Sequence, residues 1–202
     1  MGIEDTQGLA GLLGIICPRY VTQKEARQIC DQFKSSAWKR NSQVLWSGMQ
    51  REKAQRWADD NGLQTLTTAL GPLVKLEKSK RKKKRSNFMK GASALFAWFI
   101  AQGTQVTLLL PLPPHRFHPS GLTSLQDFEE PIIKGLLGNG AVDRILVAHP
   151  GAKDISARTW LYELWPIDEV NKWKAKFGID CETHSWRQVK KGFTSNLSLN
   201  QE

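Results

Sequence analysis

Two adjacent carboxylates, Glu129 and Glu130, stand in the stretch Ser124-Leu-Gln-Asp-Phe-Glu-Glu-Pro131, between an aromatic residue and a proline. A carboxylate held in a cleft can stabilise a developing positive charge or carry a proton. Read as an extended segment, the pair points to opposite faces, so that one carboxylate enters a cleft while the other stays in water. The same residues also read as an exposed acidic loop beside a helix start. Other chemistry-bearing types are sparse. His115 and His118 lie at i, i+3 in the Pro-rich run 111–119, with no Cys or clear third ligand nearby, and read as solvated loop histidines. The three cysteines, Cys17, Cys30 and Cys181, are odd in number and far apart. They form no disulfide framework and no CxxC site, and a reducing, intracellular compartment is the simpler inference. Neither a GxGxxG nor a GxxxxGK[ST] phosphate loop is present.

The elements that would position the acidic pair follow from capping and periodicity. Thr22-Gln-Lys-Glu25 is a capping box, and Ala26, Ile29, Cys30, Phe33 and Ala37 recur at helical spacing, predicting a helix over 23–37. A short strand over 43–46 precedes Ser47-Gly-Met, which opens a second helix with Ala54, Trp57 and Ala58 on one side and Asn61-Gly62 at its end. The Thr-rich run 63–70 reads as a loop or helical turn. An apolar helix over 88–102, a buried strand over 106–110 and another over 142–148 come next. A helix over 166–177 and a last strand over 179–183 lead into a polar tail, 194–202. Helices dominate the first half and strands the second. The expected class is therefore α+β in a single domain spanning 1–202, with a small parallel sheet flanked by helices in the C-terminal half.

A chain of 202 residues with 40% hydrophobic content and eight Trp is long enough to bury a sizeable core. Acidic Glu4 and Asp5 stand where a signal peptide carries basic residues, and no apolar run approaches a membrane span. Met1-Gly2-Ile-Glu-Asp-Thr6 matches the loose myristoylation pattern and is read as chance. Of the net charge of +10, the run 75–85 supplies seven, with eight Lys/Arg against one Glu. Like charges at this density predict a solvated loop over 75–87 and a nuclear-import segment as one use of it. Between 75 and 85 there is no aromatic residue to stack on a base, which ranks nucleic acid last among the partners.

Four segments in order resemble the ADP-ribosyl cyclase family, whose members are NAD glycohydrolases and cyclases. They are Val44-Leu-Trp-Ser-Gly48, Thr65-Leu-Thr-Thr-Ala-Leu-Gly71, Phe88-Met-Lys-Gly-Ala-Ser93 and Phe128-Glu-Glu-Pro131. The family carries a phe-trp-ser segment and, about twenty residues on, a thr-leu-glu-asp-thr-leu segment. A phe-trp…ser segment follows, and roughly forty residues after its tryptophan comes a glutamate in an aromatic-Glu-x-Pro context. Trp46 to Thr67 is 21 residues and Met89 to Glu129 is 40. The resemblance covers about 40–150 and, more faintly, 161–181. It departs from the family where Thr67 replaces the acidic residue, where Met89 replaces the second tryptophan, and where the disulfides are missing.

The resemblance implies an enzyme that cleaves the nicotinamide–ribose bond of NAD or a related dinucleotide, with NAD as substrate and no cofactor. Nicotinamide leaves neutral, so no general acid is needed; one carboxylate under the ribose can stabilise the oxocarbenium-like centre. Glu129 is the implied catalytic residue. Trp46 would stack on nicotinamide or wall the pocket, Ser93 near a helix N-terminus would bind a phosphate, and Thr67 and Met89 would complete the substrate site. Trp46 equally reads as a core tryptophan and Ser93 as an ordinary first-turn serine. Three functions stay open: an NAD-consuming enzyme, used for example as a toxin or effector; an inactive member of the fold that binds a nucleotide or a partner; and a basic nucleic-acid-binding protein.

Overall fold

The computed structural model describes residues 6–17, 19–35, 37–78, 81–114 and 116–178. The strand expected over 179–183, the tail 194–202, His115 and Cys181 lie outside them. Two helices open the described chain, α1 (Thr6–Ile16) and α2 (Gln23–Lys34). The capping box at α2 is closed: the Thr22 N–H donates to Glu25 Oε2 at 2.8 Å, and the Glu25 N–H donates to Thr22 Oγ1 at 3.2 Å. Its buried face is Ala26, Ile29, Cys30 and Phe33, while Ala37 falls beyond the C-cap at Ser35.

Strand β1 (Val44–Trp46) leads to α3 (Arg51–Asp60), and the short α4 (Leu66–Leu70) follows with Thr65 as its N-cap. Helices α5 (Leu73–Lys78) and α6 (Lys82–Ile100) take up most of the basic run, which corrects the loop expected over 75–87. Lys and Arg have high helix propensity, and Arg81, Lys82, Lys83 and Lys84 are all exposed, where water and salt screen their mutual repulsion. Helix α6 runs through the centre of the molecule with Phe88, Ala92, Leu95, Phe96 and Ile100 buried. A Cβ at Gly91 would lie 2.6 Å from Val21 Cγ1, so the missing side chain is what lets α6 pass this close to the segment joining α1 and α2.

The remaining strands are β2 (Gln105–Leu109), β3 (Arg144–Ala148) and β4 (Tyr162–Trp165). Their order is β1-β2-β3-β4, with β1, β2 and β3 parallel and β4 antiparallel on β3. The class is thus α+β as expected. The sheet, however, is mixed rather than parallel, and its first strand comes from the N-terminal half. Helix α7 (Glu130–Ile133) precedes β3; α8 (Ile155–Thr159) and α9 (Val170–Phe177) flank β4. Helix α9 starts four residues later than expected, at Val170, while β4 ends at Trp165, just before Pro166, which has no N–H for the ladder.

Buried polar bonds fix the antiparallel edge. His149, fully buried at the end of β3, pairs its Nδ1 with the Leu110 carbonyl at 3.0 Å and its Nε2 with the Tyr162 hydroxyl at 2.9 Å. Arg116 donates to the same hydroxyl at 3.2 Å and forms an ion pair with Asp168 at 2.8 Å. Burial drives the His149 pKa down to about 4, so the ring is neutral and serves as donor at Nδ1 and acceptor at Nε2. Among the described residues, no helix is long and apolar enough to cross a membrane.

Candidate functional site

Parallel sheets bind ligands beyond the carboxyl ends of their strands, and Trp46 is the last residue of β1. Gly48, at a φ of 72° that favours glycine, turns the chain away from the sheet, and the Ser47 N–H donates to the Leu109 carbonyl at 3.1 Å. Trp46 is half-buried and packs with Met49, Trp57 and Leu63 on a small cluster of Val44, Ala54, Ala58, Leu109 and Ala148. It also lines a cleft of about 490 Å³. Cleft lining and core packing are therefore both true of this residue.

One face of α6 forms a second wall. Ser86, Met89, Lys90 and Ser93 line the cleft, at the i, i+3, i+4, i+7 spacing that stacks side chains along a helix. Ser93 stands eleven residues into α6, not at its N-terminus. Its amide is committed to the helix, which removes the expected phosphate cradle. Its hydroxyl instead donates to Glu129 Oε1.

The floor comes from a single π-helical turn, Leu125–Glu129, continued by α7. This overturns the extended segment expected for the acidic pair. Pro131 has no N–H to give the Asp127 carbonyl, and its ring crowds that carbonyl, so the preceding turn cannot keep regular α winding. The Glu130 N–H reaches back to the Leu125 carbonyl instead, the longer step of a π turn. Phe128 pins the turn by packing edge-on against Tyr20, with ring centroids 5.7 Å apart.

The two carboxylates still part company, by helical rotation rather than strand alternation. Glu129 is 7% exposed and lines the cleft. Glu130 turns to Lys134, 2.6 Å away on the partly exposed side of α7. Burial pushes the Glu129 pKa up to about 7, and the Ser93 hydroxyl holds it back from rising further. Asp127 also lines the cleft; burial raises its pKa while the nearby Lys90 charge lowers it.

Four of the five residues singled out by sequence, Trp46, Met89, Ser93 and Glu129, thus meet at one cleft. Thr67 does not: it is half-buried on α4, and its neighbour Leu66 lines the wall. Ser86, Lys90 and Asp127 were missed. Helical spacing back from Ser93 is the signal that finds the first two. Cys17 is a half-buried free thiol and Cys30 a buried one, and neither lines the cleft. His118 bonds within its own loop, its Nδ1 2.7 Å from Ser120 Oγ.

Comparison of the chain with protein-family models, with curated proteins and with solved structures finds no match.

Proposed function

We propose that this chain cleaves the bond between nicotinamide and ribose in NAD or a related dinucleotide, as a glycohydrolase, a cyclase or both. The observation that carries the reading is Glu129: a carboxylate buried at the floor of an open cleft, hydrogen-bonded by Ser93, with Trp46 and Met89 on the walls. A buried acid costs stability and persists where a task requires it. A cleft of about 490 Å³ is of the size that takes small molecules.

The chemistry follows from the charges. Nicotinamide is cationic while attached to ribose, and its approach favours the ionised form of Glu129. As the C1′–N bond breaks, its electron pair passes to the ring nitrogen and nicotinamide leaves neutral. Positive charge appears on the ribose, facing the carboxylate. The Ser93 O–H points at that carboxylate and fixes its direction, so little reorganisation accompanies the reaction. Water attacking C1′ and losing a proton gives ADP-ribose; a ring nitrogen of the adenine attacking the same carbon gives the cyclic product.

Incubating the purified chain with NAD and measuring free nicotinamide tests the reading. Release that collapses in Glu129→Gln is the expected result; no release from the parent protein sinks it. A second reading, binding of the dinucleotide without turnover, draws on Thr67 lying off the cleft wall and on Met89 in place of an aromatic stacking partner. Saturable NAD binding without nicotinamide release would select it.

A further inference from the structure

Among the described residues that line the cleft, three carry charge: Glu129, Asp127 and Lys90. Glu129, on the floor, is 7% exposed. Among the described residues only the Ser93 hydroxyl bonds its carboxylate, at Oε1, which leaves Oε2 to the cleft. A buried acceptor that opens on a cleft marks where a ligand's polar or cationic group is met. Lys90 stands on the wall. It lies three residues before Ser93 on the same face of α6, about 4.5 Å away along the helix axis. Its side chain is half-buried, with the ammonium 6.0 Å from the centre of the Tyr20 ring, and its charge favours the ionised form of Asp127. An ammonium has three N–H donors, so a share in Asp127 and in the ring leaves it able to bond a further acceptor.

Acceptor and donor are thus set about one helical turn apart, the scale of one sugar. Nicotinamide ribose phosphate carries the complementary pair, a cationic ring on C1′ and a phosphate on C5′ of the same ribose. With the reacting bond over Glu129, the sugar spans the offset along α6 and the phosphate meets the Lys90 ammonium. Asp127 shares that ammonium and so moderates its hold on phosphate. Without Lys90 the two carboxylates would repel a phosphate, so this side chain decides whether a phosphorylated substrate is admitted.

We infer that Lys90 pairs with the phosphate next to the nicotinamide ribose and makes the cleft select nicotinamide ribotides, mono- or dinucleotide, over the unphosphorylated riboside, an inference that rests on the nicotinamide–ribose reading of the cleft. The test compares kcat/KM for nicotinamide mononucleotide and nicotinamide riboside, which differ only in that phosphate. The parent favours the mononucleotide, and the mononucleotide-to-riboside ratio falls at least tenfold in Lys90→Met. The loss enters through KM, because the phosphate keeps its charge in the transition state. Lys90→Arg keeps most of the ratio, and Asp127→Asn, which removes the competing anion, raises it. A parent that cleaves the two alike, a ratio that Lys90→Met does not move, or a Lys90→Arg that falls as far as Lys90→Met overturns the inference. So does a ratio that falls in Asp127→Asn. Calorimetry with ribose 5-phosphate and ribose provides a readout free of turnover. The phosphate ester binds more tightly to the parent, and Lys90→Met loses the difference; equal binding to the parent overturns the subsite. If inorganic phosphate binds as tightly as ribose 5-phosphate, Lys90 belongs to a general anion site and the inference is wrong. If ribose 5-phosphate is distinguished through Lys90 while neither nicotinamide compound is cleaved, the glycohydrolase reading fails and the phosphate site stands.

Discussion

Glu129 is placed where stability and chemistry make opposite demands. Its folded pKa of about 7 lies above the ordinary carboxylate value of 4.5, so its contribution to stability is fully present below about pH 4.5 and lost as pH rises through 7. Glu129→Gln keeps the size and the Ser93 bond but removes the buried charge. We expect the variant to melt higher than the parent above pH 7, by up to about 3 kcal/mol, with the difference vanishing near pH 4. Nicotinamide release should fall roughly a hundredfold or more, about 2.7 kcal/mol in barrier. A variant that melts lower than the parent at pH 8 would mean that Glu129 is a structural residue. Glu130→Gln removes only a partly exposed pair with Lys134 and should change either measurement little.

The same residue sets the pH profile. kcat/KM for a dinucleotide should rise through about pH 7 as Glu129 ionises in the free enzyme. Ser93→Ala takes away the hydroxyl that favours the carboxylate, and should move this midpoint upward by about a unit while lowering the rate. A midpoint that stays put would show that the hydrogen bond between Ser93 and Glu129 does not govern ionisation.

At the scale of elements, the cleft depends on how closely α6 passes Val21. Alanine at position 91 gains helix propensity, about 1 kcal/mol, but its Cβ would meet Val21 Cγ1 at 2.6 Å and Cγ2 at 3.0 Å. Val21 is 1% exposed and has no free direction in which to yield. Overpacking of this kind costs about 1–3 kcal/mol. Gly91→Ala should therefore lower the melting temperature, and by shifting Met89, Lys90 and Ser93 it should weaken turnover more than an equally destabilising change at the far edge of the sheet. Measuring Tm and kcat/KM in both variants checks the comparison, and equal losses would remove the special place given to this crossing. The π turn is the other positioning element. Pro131 forces it, Phe128 anchors it on Tyr20, and it delivers Glu129 inward and Glu130 outward.

Over the whole molecule, two buried titratable groups pull stability in opposite directions with pH. His149 has a folded pKa of about 4 against an ordinary 6.5, so its contribution is full above about pH 6.5 and is lost as pH falls toward 4. Over the same range the parent regains the stability that ionised Glu129 costs. Thermal melts should therefore show a steeper loss between pH 6.5 and 4 in Glu129→Gln than in the parent, because only the His149 contribution remains. Parallel Tm-against-pH curves would show that Glu129 is not buried in solution, and a Glu129→Gln curve that stays flat from pH 6.5 to 4 would show the same of His149. Protonating His149 takes away the acceptor used by the Tyr162 hydroxyl and buries a second cation near Arg116, so the loss should begin at β4, the antiparallel edge, and hydrogen exchange should rise there first.

Local patterns determined much by themselves. The Thr22–Glu25 box with its apolar periodicity specified α2, because capping and amphipathicity act within a few residues. The order and spacing of the four motifs single out Trp46, Met89, Ser93 and Glu129, and all four line the cleft. Other features were decided only in the folded chain. The basic run from Lys82 onward is helical because α6 is held by the burial of residues a turn and more beyond it, and local repulsion yields to that packing. The pairing of β4 antiparallel on β3 depends on His149, Tyr162 and Arg116, residues 13 to 46 positions apart whose meeting no local pattern records. Thr67 and Leu66 exchange roles through the rotation of α4, a matter of 100° that sequence spacing to Trp46 does not resolve. The inward turn of Glu129 was expected from strand alternation, yet it arises from a π turn imposed by Pro131 and fixed by Ser93 across the fold. Sequence names the residues that carry charge and shape at short range; burial, which sets the charge state of Glu129, exists only once distant segments have packed around it.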